Sequence, residues 1–240
     1  MIPLELPRSS GMKPIHFTIL TGAIALLTVL YIGVLAARWS GAWRGDMYWT
    51  PDLTGLHMQV GNVELLVEGN LMRTPAQRLT QTLTQATGGS RMDKLELSTL
   101  WPSMTGAAPA DRRQFDGFRK GSNLIEIDIL AETGQETMRD QLEPVYRRLA
   151  RGQETKGPAG LKVLTLSSPV ALMLDQVMFE PGEASDYIAR CRTPKGQPAV
   201  CERELRTDGL VVRYRFERGL LANWGRLDRK VLALIKDMAA

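Results

Sequence analysis

Residues Ile15 to Ala37, IHFTILTGAIALLTVLYIGVLAA, form an unbroken apolar run without a charged side chain. At 1.5 Å of rise per residue, a helix of this length crosses a hydrocarbon core of about 30 Å with some tilt. Lipid offers no hydrogen-bond partners, so a spanning segment must satisfy its own backbone, and this run holds neither Pro nor Asp to interrupt it. Gly22 and Gly33 are too far apart to form a small-xxx-small dimer face. His16, at the edge of the run, suits an imidazole at headgroup level, because no second ionisable residue lies inside the span.

The flank that follows, ARWSGAWRGDMYWTP, places Trp39, Trp43, Tyr48 and Trp49 at one boundary. These are the expected membrane-interface residues, an aromatic belt within which Arg38 and Arg44 can snorkel. The same cluster also suits the start of a domain lying against the bilayer. The organisation expected is a cytoplasmic segment over 1–14, a transmembrane helix over 15–37, an aromatic-rich juxtamembrane linker over 38–55 and a periplasmic domain over 56–240.

Charge decides little about orientation. Arg8 and Lys13 against Glu5 on one side nearly balance Arg38 and Arg44 against Asp46 on the other. A cleaved signal peptide is the competing reading, with Val34-Leu35-Ala36 as its cleavage site. Signal h-regions usually run about 7–15 apolar residues, however, and this run is longer. Cys191 and Cys201, the only cysteines, enclose RTPKGQPAV, a turn between two short strands. That spacing suits a disulfide across a hairpin; the alternative is two separate thiols in a reducing compartment. With an anchor able to export the domain, the disulfide is favoured. It puts the domain in a periplasm or outside the cell, with the N-terminus in the cytoplasm.

About 190 residues follow the anchor, enough for one domain with a substantial core. The formal net charge of +4 is modest and its charges are interleaved, so nucleic acid is not suggested as a partner. In chain order, Gly61-Asn62 joins Leu56–Val60 to Val63–Val67 as an opening hairpin. Thr74-Pro75-Ala76-Gln77 starts a helix that runs to about Ala86. Met92–Leu100 reads as a strand that stops before Pro102, and 107–123 as a surface loop with a helical turn. Ile125, Ile127 and Ile129 alternate with Glu126 and Asp128, the clearest strand in the chain.

Thr137–Ala150 follows as a helix kinked by Pro144. Leu161–Leu166 with Leu172–Phe179, and then the cysteine hairpin, give further strands. Leu210–Phe216 pairs through the turn at Thr207-Asp208-Gly209. From about Arg218 to Met238, Leu220, Trp224, Leu227, Val231, Leu234, Ile235 and Met238 make one apolar stripe opposite Arg226, Arg229, Lys230 and Lys236. The fold class expected is α+β: one transmembrane helix, then a mostly antiparallel sheet with a C-terminal amphipathic helix packed on one face.

Chemistry is scarce. His57 is the one histidine of the domain, and no G-x-S-x-G elbow, Walker loop or C-x-x-C accompanies it. No catalytic residue, cofactor site or metal site is therefore assigned. Glu126 and Asp128, on one face of a strand, could serve a glycan hydrolase; a solvated strand face explains them as well, needs nothing else and is favoured.

At Leu97-Ser-Thr-Leu-Trp101-Pro-Ser-Met-Thr-Gly106, Ala189-Arg-Cys191, Cys201 and Gly209-Leu-Val-Val-Arg-Tyr-Arg-Phe216, the chain resembles a group of single-pass, membrane-anchored periplasmic proteins of alphaproteobacteria. That resemblance implies an inner-membrane, periplasm-facing protein and brings no catalytic residues. The expectation is a non-enzymatic envelope protein that uses residues 15–37 in the bilayer and binds a protein partner. An accessory subunit of a membrane complex and a carboxylate-pair glycan hydrolase are the alternatives.

Overall fold

The computed structural model describes residues 14–39, 51–74, 91–167, 173–182 and 184–239. The chain divides into two units, Met1–Met47 and Tyr48–Ala240.

The first unit is built on α1 (Pro14–Trp39), whose 26 residues rise about 39 Å. The window Thr18–Leu35 has a mean hydropathy of 2.2, and none of it is buried. The Thr28 hydroxyl donates to the Ile24 carbonyl at 2.8 Å, so the helix satisfies its own polar atom. A helix apolar on every side needs lipid or a protein core around it. By length and composition it can cross a membrane. Trp39 ends α1, whereas Trp43, Tyr48 and Trp49 lie outside the described residues.

The second unit holds two sheets. The smaller joins β1 (Gly55–Val60), β2 (Val63–Glu68) and β3 (Arg91–Met92) in the order β2-β1-β3. The larger is formed by β4 (Lys94–Leu100), β5 (Leu124–Ala131), β6 (Thr155–Lys156), β7 (Lys162–Thr165), β8 (Met173–Phe179), β9 (Ile188–Pro194), β10 (Val200–Thr207) and β11 (Leu210–Glu217). Its order is β4-β5-β11-β10-β9-β8-β7-β6, and every neighbouring pair is antiparallel. The chain ends in α2 (Trp224–Met238). The α+β class read from the sequence is the class observed.

Period-two patterning sets the register. Ile125, Ile127 and Ile129 lie between Thr99, Leu97 and Leu95 on β4 and Phe216, Tyr214 and Val212 on β11. A slip of one residue would turn this whole set to solvent. The inner face is covered by Met58, Val60, Leu65 and Val67 of the small sheet and by Leu227, Val231, Ile235 and Met238 of α2. Cys191 and Cys201 face each other across β9 and β10 as a disulfide, with Cα atoms 3.9 Å apart, and both are buried in that core. Asp208 and Gly209, both at positive φ, make the tight β10–β11 turn. On the outer face, over β7–β9, Leu142 and Tyr146 close a second cluster with Leu164, Leu166, Val177, Phe179 and Ile188.

Several elements differ from the sequence expectation. The single sheet becomes two layers, because the expected strand Met92–Leu100 divides at Asp93. Met92 pairs in parallel with Val60 in the small sheet, and Lys94 opens the large one. The helix expected over Thr137–Ala150 is a π-type turn at Leu142–Tyr146 followed by one α-turn at Arg147–Leu149. Pro144 has no N–H and its ring crowds the carbonyl four residues back, so the ladder widens there. Val145 and Tyr146 both donate to the Gln141 carbonyl, at 3.1 and 3.0 Å. The C-terminal helix begins at Trp224 after a 3-10 turn over Arg218–Asn223, where Glu217 accepts from the Gly219 amide at 2.8 Å. Beyond Thr74, the helix expected to Ala86 lies outside the described residues.

Gly106 marks a close crossing. A Cβ there would stand 2.6 Å from Asn70 Cγ and 2.7 Å from the Asn70 carbonyl carbon. Backbone cannot rotate aside, so Gly106→Ala is expected to lower stability by about 1–3 kcal/mol. A urea titration with unchanged slope and a lower midpoint measures it.

Candidate functional site: the outer sheet face and a buried arginine

Side chains on the outer face of the large sheet form cross-strand rows. Ser98, Glu126, Arg215, Glu202 and Arg190 make one row; Glu96, Asp128, Arg213 and Glu204 make the next. Arg73 anchors one end. Its guanidinium meets Asp128 at 2.8 Å, Glu96 at 3.1 Å and Glu126 at 3.2 Å. Lys94 Nζ adds 2.7 Å to Glu96 and 3.0 Å to Asp128, and Arg215 adds 2.7 Å to Glu126. The Glu96 carboxyl is held below its usual range: burial opposes ionisation, but the Lys94 hydrogen bond and the Arg73 charge outweigh it.

The structure thus brings Glu126 and Asp128 together on one face, as their spacing requires, but spends their oxygens on Arg73, Lys94 and Arg215. Neither lines the recesses beside them. This geometry does not resemble a two-carboxylate cleft with room for a sugar and a water. Among the described residues no group of three His, Cys, Asp or Glu side chains could hold a metal ion.

Farther along, Arg213 pairs with Glu204 at 2.8 Å, Arg206 with Glu132 at 3.0 Å, and Arg190 with Asp175 at 2.5 Å. A recess of about 430 Å³ opens where the sheet meets the 132–136 loop. Its floor is Leu130, Ala131 and Val211, and Glu204, Arg206 and Arg213 rise around it. A smaller recess of about 180 Å³ lies between Arg190, Arg192, Val200, Glu202 and Arg215. The exposed side of this face is therefore rich in arginine, with apolar ground between the charges.

Sequence reasoning missed a second feature. Arg203 is only 2% exposed, because its register on β10 directs it inward between Cys201 and Leu205. It approaches Asp186 at 3.2 Å and Asp228 of α2 at 3.4 Å, donates to the Glu204 carbonyl, and lies 5.1 Å over the Tyr187 ring. The Tyr214 hydroxyl donates to Asp228 at 2.6 Å, and Trp224 stacks 4.2 Å from Tyr187. The available signal was an Arg between two apolar inward positions of a strand.

Burial pushes the Tyr187 and Tyr214 hydroxyls upward, and the Asp228 charge adds to this. A raised folded-state value means that the native state keeps its proton longer than the unfolded chain. Stability is then level below about pH 10, the ordinary tyrosine value, and falls as pH climbs beyond it. Denaturant midpoints measured from pH 8 to pH 11 are expected to show that fall, and Tyr187→Phe is expected to flatten part of it.

No protein-family model matches the chain, and no curated protein matches it in sequence. Two solved structures are similar in fold. An immunity protein of the Stenotrophomonas maltophilia type IV secretion system, Smlt3025, superposes with a TM-score of 0.51 at 12% identity, covering 78% of this chain and 94% of that one. The iron-regulated outer membrane lipoprotein FrpD of Neisseria meningitidis has a TM-score of 0.49 at 10% identity, covering 80% of this chain and 97% of that one. At these identities the likeness is one of fold.

Proposed function

We propose that this chain is a non-enzymatic envelope protein, held in the inner membrane by residues 15–37, whose periplasmic domain binds another protein through the outer face of its large sheet. One observation carries the reading: on the part of that face not covered by Leu142 and Tyr146, exposed Arg192 and half-exposed Arg213 and Arg215 stand beside the apolar ground of Leu130, Val200 and Val211. Arginine is enriched at protein interfaces, and its planar fork suits carboxylates on a partner. The buried disulfide supports an oxidising compartment. The resemblance to the alphaproteobacterial group supports the same location, with the N-terminus in the cytoplasm. The fold shared with an immunity protein is in keeping with a binding role.

The test is a photo-crosslinking amino acid placed at Arg192 on the outer face of the full chain in native membranes. A discrete protein adduct is expected there, and it should weaken with Arg213→Glu. If positions across the outer face give no protein adduct, the interface is elsewhere or does not exist.

A further inference from the structure

At Arg73, Arg190, Arg203, Arg213 and Arg215, a carboxylate lies within ion-pair distance of each cation. One side of α2 departs from that pattern. Arg226, Arg229, Lys230 and Lys236 rise from it, and none has a carboxylate within ion-pair distance among the described residues; Asp237 is the single acid beside them. At 100° per residue these cations lie opposite the stripe of Leu227, Val231, Ile235 and Met238 that fills the core. Arg226 is fixed above the Trp101 ring at 5.5 Å. Between the helix and the 101–105 turn lies a recess of about 430 Å³, lined by Ser103, Met104, Arg226, Arg229, Lys230 and Leu234.

We infer that this cationic side of α2 docks on an anionic bilayer surface, with its guanidinium and ammonium groups at lipid phosphates. The inference rests on the reading of residues 15–37 as an anchor, which keeps the domain close to a membrane. Unpaired cations concentrated on one surface, with Asp237 alone against them, are complementary to such a surface. The apolar stripe of α2 is already committed to the core, so the helix adsorbs rather than inserts, and its attachment is electrostatic and sensitive to salt. The arrangement also has a consequence for the outer face. Since α2 covers the inner side of the large sheet, its cationic side points away from the arginine-rich outer face. Adsorption through α2 therefore leaves the outer face turned from the bilayer and open to a partner.

The full chain, reconstituted in nanodiscs, tests this by the rate at which acetic anhydride modifies each lysine. Lys230 and Lys236 are expected to react several-fold more slowly in discs containing phosphatidylglycerol than in discs of phosphatidylcholine alone. Lys120 and Lys195 serve as internal references, and the protection should vanish at about 1 M salt, where the screening length is about 3 Å. Arg229→Glu, an exposed change that leaves the core intact, should remove most of the protection. Equal rates in both lipids, with the protein retained in both discs, would overturn the docking and leave the anchor reading untouched. Protection in native membranes but not in anionic discs would overturn it in favour of an acidic protein. A chain that fails to enter either disc removes the anchor reading, and this inference with it.

Discussion

Arg203→Ala is expected to destabilise the domain by about 3–5 kcal/mol, the usual cost of stranding one member of a buried ion pair. The arginine is 2% exposed and sits between strand and helix, so its removal leaves Asp228, among the described residues, with the Tyr214 hydroxyl for a partner. It also opens a void beneath Tyr187, whose ring it covers at 5.1 Å. Arg203→Met fills that void but still strands Asp228, and its cost should be smaller. In Arg203→Met with Asp228→Asn both charges are gone, so the double variant should be more stable than the sum of the two singles predicts. Urea midpoints of the four proteins close this cycle. Strict additivity would show that Arg203 acts through its volume and not through Asp228.

The second large effect is at Arg73, where one guanidinium reaches three carboxylates. Its side chain is 17% exposed, between the regimes of a surface pair and a buried one, and Arg73→Ala is expected to cost about 2–4 kcal/mol at neutral pH. The size of the deficit should depend on pH. In the native chain the Glu96 value is depressed, so its contribution is present above the ordinary carboxylate range and is lost as pH falls through the depressed value. In Arg73→Ala, Glu96 loses one of the cations that depress its value and still faces the Asp128 charge, which raises it. Protonation then breaks less attraction than in the native chain. The two stability curves should converge toward acid pH; a gap constant across pH would mean that Arg73 contributes packing alone.

These sites differ in how far they could be read from the chain. The Ile125-Glu126-Ile127-Asp128-Ile129 alternation announces a strand with one buried and one charged face, and the structure has that strand. Its partners, β4 and β11, come from far along the chain, so the cations that meet Glu126 and Asp128 could not be named in advance. Arg73 arrives from the segment between β2 and β3, and Arg215 from β11. The carboxylate pair that suggested a hydrolase is part of an ion network only because of that pairing.

Local patterns also set the turns. Gly61-Asn62 and Asp208-Gly209 carry their geometry in two residues, and Cys191 with Cys201 encode a hairpin bridge through spacing alone. The interruption by Pro144 was legible as a break, but its form, a π-type turn capped over the β7–β9 face, depends on the cluster that Leu142 and Tyr146 complete.

The sequence by itself determined the apolar helix, the α+β class, the strand faces and the two-sided character of α2, because each follows from periodicity over a few neighbouring residues. Only the tertiary structure decided the second sheet, the inward Arg203 and the arginine-rich outer surface. Those depend on which distant strands lie side by side, and strand pairing is a property of the whole core rather than of any local window.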